Sequence, residues 1–240
     1  MVLSVQMYSL RGDVERDGLD SVLSKIKKSG FDGVELAGTY GFEPTELSKK
    51  LDDNGLVVTG AHVGFDLLSK SVAECVDTAA ALGYHDIICP WLDKSLFTVE
   101  TAEKFARMIE ELPPEYRLGY HNHAHEFENG DFLKLLYDNV PKMLFEPDTF
   151  WLKVADKDVV GYCRSLAPRV MALHLKELSP AGKDDFNPLP GEGVTGCASV
   201  VKLAREFMCG YIVLEAEKMG VPFDEYLAST AEFCNAILED

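Results

Sequence analysis

Short apolar runs alternate with longer amphipathic ones eight times along this chain, and that alternation restricts the fold more than any single residue does. LSVQMYSL (3–10), GVELAG (33–38), LVVTGAHV (56–63), DIICPWL (86–92), RLGYHNHA (117–124), KMLFEPD (142–148), VMALHLKE (170–177) and YIVLEAE (211–217) have the composition of strands. Between them lie helical patterns. GLDSVLSKIKKSG, TELSKKLDDNG and SVAECVDTAAALG each stop at a glycine, the usual residue just past a helix end. TVETAEKFARMIEEL starts at a threonine cap and is closed by Pro113-Pro114, and further helices are expected at 130–139, 157–166, 197–208 and 222–238. Strands that alternate with helices pair in parallel, because a parallel return needs a long crossover. Eight such units close naturally into a (β/α)8 barrel, and 240 residues is near the usual length for one. The alternative is a doubly wound open sheet. It would normally carry a phosphate-binding glycine fingerprint after its first strand, and YSLRGDVERDG is not G-x-G-x-x-G. No Pro/Ser-rich linker interrupts the series, so one domain is expected over 1–240. The long loop SPAGKDDFNPLPGEG (179–193) follows the seventh strand, on the face where such barrels work.

Composition removes several function classes. The net charge of −17 argues against a nucleic-acid surface, which needs clustered Lys and Arg. The N-terminus lacks a basic stretch followed by a long apolar run, and no window approaches the 18 or so apolar residues of a membrane span. The cysteines at 75, 89, 163, 197, 209 and 234 show no CxxC spacing and read as buried thiols of a cytoplasmic protein.

The polar residues then fall in a pattern. In a parallel barrel the strands are apolar and polar side chains collect at their C-terminal ends. Gln6 and Tyr8 lie near the end of the first strand, Glu35 near the second, His62 the third and Trp91 the fourth. His121 and His123 end the fifth, Asp148 the sixth, His174 and Lys176 the seventh, and Glu215 and Glu217 the eighth. Taken singly, each has a bland explanation: a satisfied structural histidine, a surface carboxylate, a tryptophan packed on the rim. Together, five of the six histidines and several carboxylates share one face, and burying unpaired charges there costs several kcal/mol each. A divalent cation explains why they tolerate one another. Mixed oxygen and nitrogen ligands suit Mn²⁺, Co²⁺, Fe²⁺ or Zn²⁺ better than Ca²⁺, with Mg²⁺ a further option, and the scarcity of cysteine at the strand ends argues against a thiolate zinc site.

VQMYSLR, GFDGVELAG, GAHV, GYHNHAHEF, EPDTFW, LHLKE, LPGEGV and IVLEAE together resemble the xylose-isomerase-like TIM barrels, the sugar phosphate isomerase/epimerase family, in its HNHxxEF subgroup. The resemblance spans nearly the whole chain and implies a single (β/α)8 TIM barrel. It implies one metal ion, most often Mn²⁺, held by a strand-five carboxylate and by Asp148, His174 and Glu215. Many relatives carry Glu where this chain has His121, so Glu126 is the expected strand-five ligand, with His121 as the alternative. Two further departures are HLKE, where Asp often follows Lys, and Glu-x-Glu in strand eight, where Glu-x-Asp is frequent. The implied chemistry is proton abstraction next to a carbonyl of a sugar, keto-sugar or polyol, through an enediolate. His123, Glu215 and Lys176 are the candidate catalytic groups. Gln6, Tyr8, Glu35, His62, Trp91, His121 and Glu217 are the candidate substrate contacts. The same residues suit dehydration or elimination. The rivals are a metal-dependent apurinic-endonuclease-like phosphodiesterase, opposed by the charge, and a non-catalytic sugar-binding barrel. The expected partner is a small sugar or polyol, not nucleic acid or a membrane, with a homo-oligomer left open. The usual barrel phosphate site has no counterpart here, which favours a non-phosphorylated substrate.

Overall fold

All eight expected strands form, each shorter than its apolar run. The structure is a computed structural model and describes residues 1–239. β1 (Val2–Gln6) runs through a 3-10 turn at Met7–Leu10 into α1 (Arg11–Asp17) and α2 (Leu19–Lys28). β2 (Gly33–Leu36) precedes α3 (Pro44–Asp53), and β3 (Val57–His62) precedes α4 (Phe65–Lys70) and α5 (Val72–Leu82). β4 (Asp86–Cys89) leads to α6 (Val99–Glu111), and β5 (Arg117–His121) leads through a 3-10 turn at His125–Phe127 to α7 (Phe132–Asn139). β6 (Leu144–Glu146) is followed by α8 (Thr149–Val154) and α9 (Val159–Leu166). β7 (Leu173–Leu175) is followed by the long loop and α10 (Cys197–Glu206), and β8 (Tyr211–Leu214) by α11 (Phe223–Leu238).

Local chemistry sets the helix ends. Ser71 accepts from the Glu74 amide at the start of α5, Thr98 from Thr101 at α6, and Asp131 from Lys134 at α7. Gly83 takes a left-handed conformation (φ 75°) and stops α5.

The strands are all parallel, in the order β6-β5-β4-β3-β2-β1-β8-β7. β6 and β7 meet through the bridges Phe145↔Val170 and Asp148↔His174, which close the (β/α)8 barrel. The pairing is broken there because Pro147 has no N–H; only its carbonyl takes part, accepting from the His174 amide at 3.0 Å. The main core packs between the sheet and its helices, and a smaller cluster of Ile88, Met171, Ala172, Tyr211 and Val213 packs separately.

Side chains alternate along a strand, so Gly33, Gly60 and Gly119 share a face with Glu35, His62 and His121, two residues on. A Cβ on Gly60 would lie 2.9 Å from Ile88 Cδ1, and one on Gly119 would run into the Met171 sulfur. Glycine thus makes room beneath the polar layer for side chains from neighbouring strands. All six cysteines are free and buried. No described helix is long and apolar enough to cross a membrane.

Candidate active site

Two layers of polar side chains occupy the C-terminal end of the barrel. In the lower layer, Gln6 Nε2 donates to Glu35 Oε2 at 2.6 Å. The same oxygen lies 3.0 Å from His62 Nε2 and 2.9 Å from His174 Nε2. Glu146 Oε2 faces the same two nitrogens, at 3.1 Å each, and stands 3.6 Å from His121 Nδ1. Glu35, Glu146 and His174 are fully buried. In the upper layer, His174 Nδ1 is 2.9 Å from Glu215 Oε2 and 4.0 Å from Asp148 Oδ2, and His121 Nε2 is 4.0 Å from the same Asp148 oxygen. Lys176 Nζ donates to Glu215 Oε1 (3.2 Å) and Glu217 Oε1 (2.8 Å) and lies over the rings of Phe150 and Trp151.

Backbone chemistry places Asp148. Its Oδ1 accepts from the Trp151 amide and caps α8, while its own N–H donates to Asn122 Oδ1. That leaves Oδ2 buried without a partner. One ligand atom each from His121, Asp148, His174 and Glu215 lies within 4.8 Å of the others, as a metal site requires. The same holds for His62, His121, Glu146 and His174, and for His123, His125 and Glu126.

The charges are strongly coupled. Burial pushes the Asp148 carboxyl up to about 7; Lys176 opposes this and Glu215 reinforces it. Burial works against charge on His62, yet the Glu35 and Glu146 carboxylates lift it to about 9. Burial and the His174 ring hold His121 well below its ordinary range. Burial lowers His123 to about 4. For Lys176, burial is outweighed by Glu215 and Asp148, which hold the ammonium charged.

A cavity of about 420 Å³ opens above these layers. Of the residues singled out in the sequence, Gln6, Tyr8, His62, Trp91, His121, His123, Glu215 and Glu217 reach it. Glu35 does not line it, because it lies beneath the imidazoles. Glu126 stands outside the group of Asp148, His174 and Glu215. Its Oε1 accepts from the Tyr120 hydroxyl and its Oε2 from the His123 amide, 3.3 Å from His125 Nδ1, so the strand end turns away from the barrel axis. His121 is the strand-five side chain that completes that group. Lys176 lies below the cavity wall, between Glu215 and Glu217.

Three contributors were not singled out from the sequence. Glu146 is two residues before Asp148 and therefore on the same inward face, a signal that period-two reading carries. Trp151 lines the cavity from the first turn of α8, and its indole nitrogen is buried without a partner. Glu177 faces the long loop instead: its carboxylate accepts from the amides of Leu178, Gly191 and Thr195. The side chain of Asn187 in that loop donates to the Glu177 carbonyl and accepts from the Glu217 amide, which ties the loop to the end of β8.

The sequence matches the profile of the family described as xylose isomerase-like TIM barrels over residues 23–237. Among solved structures, it is similar to a sugar phosphate isomerase/epimerase from Parabacteroides distasonis ATCC 8503, with 21% identity over 96% of this chain and 92% of that one and a TM-score of 0.81. It is similar to the probable 3-DHS dehydratase AsbF of Bacillus anthracis, with 16% identity over 98% and 99% and a TM-score of 0.74. It is also similar to the IOLI protein described with a zinc atom, with 10% identity over 100% and 98% and a TM-score of 0.74. At these identities the likeness is one of fold. No curated protein matches the sequence.

Proposed function

This chain belongs to the xylose isomerase-like TIM barrel family, and from that premise we propose that it is a divalent-metal-dependent isomerase or epimerase of a neutral sugar, keto-sugar or polyol derivative. The observation that carries this reading is the convergence of His121, Asp148, His174 and Glu215, with the Asp148 Oδ2 buried and unpartnered. An anionic oxygen without a donor is costly in a barrel interior, and a cation removes that cost. The donor set of two imidazoles and two carboxylates suits Mn²⁺, Fe²⁺, Co²⁺ or Zn²⁺. A cation held by these four residues supplies polarisation of a substrate carbonyl and compensation for the charge left when the neighbouring carbon loses its proton.

The chain's own groups do the rest. His123 and Glu215 follow β5 and β8, three strands apart round the barrel, so they approach a bound substrate from different sides. That is what removal of a proton on one face and return on the other requires. Burial keeps His123 neutral at pH 7, able to accept a proton at its unpartnered Nδ1. Lys176 holds the carboxylates of Glu215 and Glu217 in place. Trp91, Trp151 and Tyr8 give the cavity apolar walls for the C–H faces of a sugar ring. None of the described residues lining it is Arg or Lys, which supports an uncharged substrate over a phosphorylated one.

The test is proton exchange. Protein loaded with Mn²⁺ is incubated in D₂O with a panel of ketoses, keto-glycosides and inososes, and products are followed by NMR. Deuterium is expected at a single carbon next to a carbonyl in one member of the panel; loss of water from that member would make the enzyme a dehydratase. Asp148→Ala should lower metal affinity by more than about 100-fold and abolish exchange. Full metal retention in Asp148→Ala, or no exchange with any member, overturns the reading.

A further inference from the structure

His121 and His174 share a geometric feature that the proposed metal site alone does not explain. His174 turns Nδ1 toward Asp148 and Glu215, His121 turns Nε2 toward Asp148, and both rings turn the opposite nitrogen toward one oxygen, Glu146 Oε2. Glu35 Oε2 also hydrogen-bonds His174 Nε2, at 2.9 Å, alongside Gln6 and His62; Glu146 Oε2 also bonds His62, and it is the carboxylate oxygen that faces both His121 and His174. His121 Nδ1 makes no hydrogen bond and has Glu146 Oε2, at 3.6 Å, as the one carboxylate oxygen within 4.0 Å, and Glu146 Oε1 has no partner either.

We infer that Glu146 is a positioning residue: its charge favours the proton on the nitrogens of His121 and His174 that face it, so that their other nitrogens are left as lone pairs on the side of Asp148 and Glu215. This rests on the metal reading above and adds the group that makes two imidazoles competent ligands. A neutral imidazole carries one proton, and an acceptor on one nitrogen decides that the other is free to bind. Glu146 does this for two rings at once. It also places a negative charge behind them, on the side away from the cavity, which strengthens their donation. A second ion among His62, His121, Glu146 and His174 is the rival explanation for so many close contacts. Beside the first ion it would require lone pairs on both nitrogens of His121 and of His174, and so rings stripped of their only proton; a carboxylate facing them requires no such thing.

Glu146→Gln is the test, because the amide keeps the shape and loses the charge. Mn²⁺ affinity is measured by calorimetric titration of the metal-free protein, and Co²⁺ loading is followed by its visible absorption. The expected result is affinity weaker by about 10–100-fold, the usual effect of removing a ligand's hydrogen-bond partner. The Co²⁺ band should change shape, and the Tm of the metal-free form should fall somewhat, since Glu146 also pairs with His62 and helps to hold its charge. A residue that only supports the fold would lower that Tm in the same way but leave the affinity and the Co²⁺ band unchanged. The double substitution His121→Glu with Glu146→Gln moves the carboxylate onto strand five and keeps the carboxylate count. It should recover about tenfold or more of the affinity lost in Glu146→Gln, and it serves as the readout if the single variant does not fold. A wild-type ion that Asp148→Ala loses and Glu146→Gln holds with unchanged affinity overturns this inference alone. Absence of recovery in the double variant also overturns it. A wild-type protein that binds no ion overturns the metal reading and this inference with it.

Discussion

The two ends of the barrel treat buried charge in opposite ways. At the N-terminal end, Asp86 opens β4, Arg117 opens β5 and Tyr211 opens β8. Arg117 grips Asp86 with two hydrogen bonds of 2.6 Å, one to each oxygen, and the Tyr211 hydroxyl donates to the same carboxylate. The acceptor is saturated. At the C-terminal end, Glu35, Glu146, Asp148 and Glu215 share three imidazoles and one lysine. Every buried side-chain nitrogen or oxygen without a partner among the described residues belongs to Glu35, Tyr40, His121, His123, Glu146, Asp148 or Trp151, all at or beyond the C-terminal ends of strands. Buried polar groups are nearly always paired. A complete set of partners therefore marks a fastening of the fold, and an incomplete one marks a place where something else belongs.

The largest expected effect separates the two ends directly. Arg117→Met leaves Asp86 buried with only the Tyr211 hydroxyl, and should lower the unfolding free energy of the metal-free protein by about 3 kcal/mol, the low end for a broken buried pair because the guanidinium is half exposed. Metal affinity should stay within about twofold. Asp148→Asn, which keeps the cap on α8 and removes the orphaned charge, should leave the metal-free protein at least as stable. Denaturant unfolding of both variants decides it, and comparable destabilisation by Asp148→Asn would erase the distinction.

That contrast also explains what was legible in the sequence. The eight-fold alternation was, because parallel strands buried on both faces and helices stopped by glycine leave long patterns. Strand ends were not: Met7–Leu10 continues the apolar run of β1 but folds as a 3-10 turn, since burial alone does not distinguish turn from strand. The short helices α1, α4 and α8 lie close behind their strands and have too few residues for a period to show. Asp148 was read as a strand residue, though its side chain caps α8. Among site residues, isolated histidines and carboxylates stood out against apolar strands. Glu146 did not, sitting between Phe145 and Pro147 beside a more conspicuous aspartate. The choice between Glu126 and His121 needed coordinates, because it depends on how the chain turns after His121, and periodicity ends with the strand.

A middle-sized effect concerns His123 and pH. Burial holds its folded pKa near 4, below the ordinary value of 6.5. Between those values the unfolded chain takes a proton that the folded protein refuses, so stability contributed by this site is present above 6.5 and falls as pH drops toward 4, by at most about 3 kcal/mol. His123→Gln removes that dependence. Urea unfolding of the metal-free protein at pH 7 and pH 4.5 should show a smaller loss in the variant than in the wild type. Equal losses would mean that His123 is not held neutral by its surroundings, and that this part of the upper layer behaves like an ordinary surface.

The smallest effect is expected at the rim, where a residue is neither saturated nor orphaned. Trp91 follows β4, is half exposed and lines the cavity, with its ring 5.9 Å from that of His125. Its exposure means that little is gained or lost on unfolding, so Trp91→Ala should change stability by no more than about 0.5 kcal/mol. Its contact with a sugar ring is made equally before and during proton removal, because the indole face meets C–H groups and not the reacting atoms. Uniform binding of that kind appears in KM and not in kcat. One lost aromatic face is worth about 1 kcal/mol, so KM for the exchanging substrate should rise about fivefold with kcat unchanged. A fall in kcat instead would place Trp91 in the closure of the site over its substrate. It would also mean that the division between fastened and unsatisfied groups extends to a side chain whose only visible role is to form a wall.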